Sequence, residues 1–140
     1  MILQPVVRDA ATAAFFDGAA QGILLLRRSV VTGEILSPPV EQDSVGNTDL
    51  EWIPASGLGA VVSWAFVPKP VVDSDEIASI TIVIVELDEG PWWWTQLVDV
   101  EPSDIAEGFR VQALFPKSGP DESHEYVPVF GPVPDVEEMK

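Results

Sequence analysis

The chain has 140 residues, no cysteine, 46% hydrophobic residues, and seven basic against 23 acidic side chains, a formal net charge of −16. That length suits one compact domain with a real core, and the missing cysteines exclude disulfides and a thiolate nucleophile. A nucleic-acid binder needs a basic face to displace counterions from phosphates. Here Arg8, Arg27, Arg28, Lys69, Arg110, Lys117 and Lys140 are scattered, so a complementary, more basic protein is the expected partner rather than nucleic acid.

No stretch reaches the roughly eighteen apolar residues of a membrane span. The longest apolar run, "ASITIVIVEL" (Ala78–Leu87), is short and carries Glu86 near its end. The N-terminal "MILQPVVRDA" lacks a basic region leading into an apolar core, so no signal peptide is expected. A cytoplasmic protein without membrane association is the default.

In chain order, "RDAATAAFFDGAAQG" (Arg8–Gly22) predicts a helix, with Asp9 as cap and Gly22 as left-handed terminator. Phe15 and Phe16 give it a bulky flank that suits either its own domain or a partner. "ILLLRRS" (Ile23–Ser29) predicts a strand. Residues 33–47 are rich in Pro, Ser, Glu and Asp and cannot build a core of their own. Within this part, Ser29 and Thr32 are spaced like one ligand pair and Gln42 and Val45 like another. Each pair is followed by a glycine, Gly33 or Gly46. That is the frame of a four-ligand zinc ribbon without its cysteines.

From Leu50 the pattern is β. "LEWIPASGLGAVVSWAFVPK" (Leu50–Lys69) places turn residues at 54–59 before a strand. "ASITIVIVEL" is apolar on both faces, as a strand buried on two sides would be. "PWWWTQLVDV" (Pro91–Val100), "GFRVQALFP" (Gly108–Pro116) and "EYVPVFGP" (Glu125–Pro132) complete five strands, and "DVEEMK" is a polar tail. Five uneven strands with turn signals between them fit a small closed barrel better than a sandwich.

The order of "FFDGAAQGILLLRR", "DLEWIPASGLGAVVSWAFVPKP", "VELDEG" and "VPVFGP" resembles the DUF35 acyl-CoA-associated OB-fold proteins over Thr12–Pro132. The resemblance implies a mainly β chain. It would have an N-terminal helix and lead-in strand (1–26), a degenerate, metal-free zinc-ribbon-like segment (27–50), a five-stranded OB-fold barrel (51–132) and the tail (133–140). Aligned on "DLEW", the family's four cysteine positions fall on Ser29, Thr32, Gln42 and Val45. None is a thiolate, and His124 is the only histidine, so no zinc is expected. The resemblance further implies a non-catalytic accessory subunit. It would pair with a thiolase-like enzyme (thiolase, aldolase or acyltransferase) and help form its acyl-CoA site. A stand-alone acyl-CoA binder and a subunit of an enoyl-CoA hydratase are the alternatives.

Several residues are weighed on chemistry. "ESHEY" sets Ser123 beside His124, but neighbours in a loop are not a triad. "ELDEG" (Glu86–Gly90) is a turn more readily than an acid–base pair. In "WWW", side chains alternate, so Trp92 and Trp94 share one face and Trp93 takes the other. A small barrel cannot enclose all three, so Phe15, Phe16, Trp92, Trp93 and Trp94 are the candidate partner interface. Lys69, Arg27, Arg28, Arg110 and Trp64 are the candidate contacts for a shared acyl-CoA or CoA. Without a phosphate loop, no cofactor is expected to bind tightly.

Overall fold

The computed structural model describes residues 3, 5–10, 12–71 and 75–134; the tail from residue 135 on, Lys140 included, lies outside them. The helix α1 covers Ala13–Ala20, shorter than the sequence suggests. Asp9 and Thr12 close a turn ahead of it: the Thr12 N–H donates to Asp9 Oδ1 at 2.9 Å, and the Asp9 N–H to Thr12 Oγ1 at 3.0 Å. Gly22, at φ 76°, ends the turn after the helix, a conformation glycine adopts without Cβ strain.

Three strands follow: β1 (Leu25–Ser29), β2 (Ile35–Leu36) and β3 (Leu50–Pro54). They form an antiparallel sheet ordered β2-β1-β3, with Arg27 opposite Leu36 on one side and Trp52 on the other. The "LEWIP" stretch, at the junction expected near residue 51, therefore pairs with β1 rather than with a barrel strand.

The barrel comprises β4 (Leu58–Pro70), β5 (Ile77–Leu87), β6 (Trp92–Leu97), β7 (Arg110–Leu114) and β8 (Val129–Pro132). It closes in the order β4-β5-β6-β8-β7, with β7 returning to β4 and β6–β8 the parallel pair. This is the five-stranded OB-fold architecture that the strand count predicts. Closure brings backbones close at Gly59: a Cβ there would lie 2.5 Å from Val85 Cγ1 and 2.7 Å from the Glu86 carbonyl. Val61, Val83, Val85, Leu87, Leu97, Val111 and Phe130 fill the interior, and Phe15, Phe16, Leu24 and Leu26 extend the same core. The last strand is shorter than expected, because Tyr126 makes only an isolated bridge to Lys117.

Two departures matter for function. β4 meets β7 only over Leu58–Ala60, yet pairs with β5 as far as Pro70–Ile77, so this hairpin projects beyond the barrel. Nor is β5 buried on two sides as its sequence suggests. Val83, Val85 and Leu87 point inward, while Ile82 and Ile84 on the outer face stay partly exposed.

Candidate functional site

In the ribbon, the first pair of expected positions meets and the second does not. Asp43 is 3% exposed. Its Oδ2 accepts from Ser29 Oγ at 2.8 Å, Thr32 Oγ1 at 3.2 Å and Asn47 Nδ2 at 2.8 Å. Its Oδ1 accepts from the Val45 and Asn47 N–H groups at 3.0 and 2.8 Å. Burial alone would push this carboxyl up, but the hydrogen bonds from Asn47, Ser29 and the two backbone amides hold it well below the usual carboxylate range. Gln42 and Val45 face outward, Val45 at 73% exposure. The residues that close the ribbon are thus Asp43 and Asn47, not Gln42 and Val45. The signal available was the Asp of "QDSVGN", a residue type that bonds its own following backbone.

This set does not fit a structural zinc. Two hydroxyls and an amide are already committed to one carboxylate, where zinc needs four thiolate or imidazole ligands. Among the described residues no three His, Cys, Asp or Glu side chains converge on a metal position.

The aromatic residues divide as the alternation predicts. Trp93 lies opposite Val85 on the inner face and stacks on Phe15 with ring centroids 5.7 Å apart. Phe15 and Phe16 are buried, so the helix's bulky flank serves mainly its own domain. What it leaves accessible is one wall of a cleft of about 380 Å³, lined also by Arg27, Pro38, Glu41, Trp52 and Trp93. Trp92 and Trp94 stand on the outer face at 53% and 71% exposure.

The five candidate ligand contacts are not brought together. Arg27 lies 4.2 Å over the Trp52 ring and donates from Nε to the Pro38 carbonyl. Arg28 is paired with Glu51 on the opposite side of the sheet. Arg110 holds Asp88 through two bonds of 2.9 and 3.0 Å. Lys69 and Trp64 are on the projecting hairpin. Arg110 sits beside Ala60, which puts Lys69 roughly 30 Å further along β4 at ~3.3 Å per residue. One pyrophosphate cannot reach both.

Ser123 Oγ donates to Asp121 Oδ1 at 3.2 Å, whereas His124 Nδ1 accepts from the Asp121 N–H. Serine and histidine are therefore not joined as nucleophile and base. The "LDEG" carboxylates are architectural as well: besides the Asp88–Arg110 pair, Glu89 Oε2 accepts from the Ser56 N–H at 2.8 Å.

A family model described as the ChsH2 C-terminal OB-fold domain matches residues 52–115. A DUF35 domain-containing scaffold protein of Pyrococcus furiosus is 35% identical over 69 residues, 49% of this chain and 51% of that protein. One from Methanocaldococcus jannaschii is 37% identical over 68 residues, 49% of this chain and 48% of that protein. A chain of the solved Ltp2-ChsH2(DUF35) aldolase superposes with a TM-score of 0.74 at 27% identity, covering 89% of this chain and 96% of that one. The chain is similar to DUF35 OB-fold proteins.

A DUF35-family protein of unknown function from Sulfolobus solfataricus shares the fold, with a TM-score of 0.57 at 13% identity over 75% of this chain and 78% of that one. The chain spans about half the length of the curated relatives it matches. Among its described residues no helix is long and apolar enough to cross a membrane.

Proposed function

We propose that this chain is a non-catalytic accessory subunit of an acyl-CoA-processing complex. Its partner is a thiolase-like enzyme, and the chain helps form that enzyme's acyl-CoA site. The observation that carries this reading is the likeness to a chain of the Ltp2-ChsH2(DUF35) aldolase across nearly the full length of both. Two features of the chain agree with it. Its described residues bring together no nucleophile, base and oxyanion donors, as an acyl-transfer site needs. Its cations are dispersed and several are paired with acids, so the partner must supply most contacts to the CoA phosphates.

In the ribbon, the Asp43 cluster supplies the closure that four thiolates around a zinc would otherwise give, and no metal is needed. Affinity purification from cells that make the protein naturally tests the functional reading. A thiolase-like subunit recovered in fixed ratio is the expected result. Recovery with a hydratase, or as a single species that binds acyl-CoA unaided, overturns it in favour of another role.

A further inference from the structure

The outer face of the second and third barrel strands is left bare. Strand register aligns Ala60, Glu86 and Trp92 in one row, Ser63, Ile84 and Trp94 in the next, and Ala65, Ile82 and Gln96 in a third. The result is a mostly apolar strip, with Ser63, Glu86 and Gln96 as its polar members, on which Trp94 and Trp92 are the most prominent side chains, at 71% and 53% exposure. A depression of about 140 Å³ lies between Trp94, Ile84, Ile82, Ala65 and Trp64, room for one inserted side chain.

OB folds commonly bind their ligands on this face. Those that take single-stranded nucleic acid combine such rings with a positive groove. Here the charged side chain within the strip is Glu86, and Arg110 at the barrel's near end is held by Asp88. With a net charge of −16, the face repels phosphates and attracts cations.

We propose that this β5–β6 face, anchored by Trp94 and Trp92, docks a folded protein partner through an apolar patch rimmed by Arg and Lys side chains. The proposal rests on the accessory-subunit reading for the partner's identity, but not for the existence of the face. Exposed tryptophans in an apolar setting are the side chains that most often anchor interfaces. Glu86 and the chain's net negative charge set orientation and on-rate rather than bulk affinity.

The test places the photo-crosslinker p-benzoylphenylalanine at position 94, and separately at the exposed ribbon positions Val31 and Val45, in cells that make the protein naturally. Crosslinked peptides are then identified by mass spectrometry. The expected result is a protein adduct from position 94 through a peptide flanked by Arg or Lys, and a several-fold lower yield when Glu86→Lys is added. Purified Glu86→Lys must melt within a few degrees of the parent, which separates lost docking from lost folding.

A silent position 94, an adduct with a second copy or with nucleic acid, or a yield unmoved by Glu86→Lys overturns the proposal. An acyl-CoA enzyme captured only from Val31 or Val45 overturns the face and leaves the accessory role standing. A basic-rimmed partner that is not an acyl-CoA enzyme, captured from position 94, supports the face and removes the accessory role.

Discussion

Ser29 Oγ donates a 2.8 Å hydrogen bond to the buried carboxylate of Asp43, joining the two ends of a ribbon that holds no thiolate. Ser29 and Thr32 stand at one pair of expected ligand positions, and Asp43 reaches both. The centre of the ribbon is therefore an anion surrounded by donors instead of a cation surrounded by thiolates. The logic of closure is kept while the charge is inverted.

Removing Asp43 leaves several donors without an acceptor, which costs more than losing one neutral hydrogen bond. Asp43→Ala should lower the melting temperature by more than ~5 °C, followed by circular dichroism. Added zinc or chelator should shift neither the parent nor the variant. A chelator-induced drop in the parent would place a metal in the ribbon.

The same carboxylate should govern acid stability. Its folded pKa lies below the unfolded value of about 3.9. Its contribution is therefore fully present above the unfolded value and is lost as the pH falls through the folded one. A melting-temperature series from pH 7 downward should fall less steeply below about pH 4 for Asp43→Asn than for the parent. The variant should also start lower at neutral pH. Identical slopes would mean that Asp43 does not carry the acid transition.

Trp93 ties the helix to the barrel through Phe15. Trp93→Ala should cost about 3 kcal/mol in urea unfolding, because it removes a ring from the junction of two elements. Trp94→Ala, on the outer face, should change stability by less than about 1 kcal/mol. A similar loss for the two would contradict the assignment of inner and outer faces.

At the closing point of the barrel, Gly59→Ala forces a methyl against Val85 and the Glu86 backbone. Backbone cannot turn aside as a flexible side chain can, so the expected loss is about 2–3 kcal/mol. Denaturant midpoints against the parent give this directly, and an unchanged midpoint would mean that β4 and β5 are not packed so closely there.

The barrel was legible because alternating apolar residues and Gly/Pro turns report a local period of two along each strand. The division of the three tryptophans follows from that period alone. The bare outer face of β5 was not legible: Ile82 and Ile84 look like core in sequence, and only the topology leaves them uncovered. Ribbon spacing located Ser29 and Thr32, but spacing marks where ligands would stand and not which side chain fills the centre. Asp43, one residue after Gln42, takes that place because its short side chain can accept from Val45 and Asn47 while reaching back to Ser29. Lys69 and Arg110 looked like members of one cation set only while the chain was read as a line.

The division of labour between this subunit and an enzyme is the central claim, and acyl-CoA turnover measures it most directly. The chain alone, the copurified partner alone, and the two recombined would be assayed on the same acyl-CoA panel. The chain alone should be inactive, and the recombined pair should exceed the partner alone by tenfold or more, on the order of 1.4 kcal/mol or greater in the barrier. Turnover by the isolated chain, or a partner indifferent to its presence, would contradict the account.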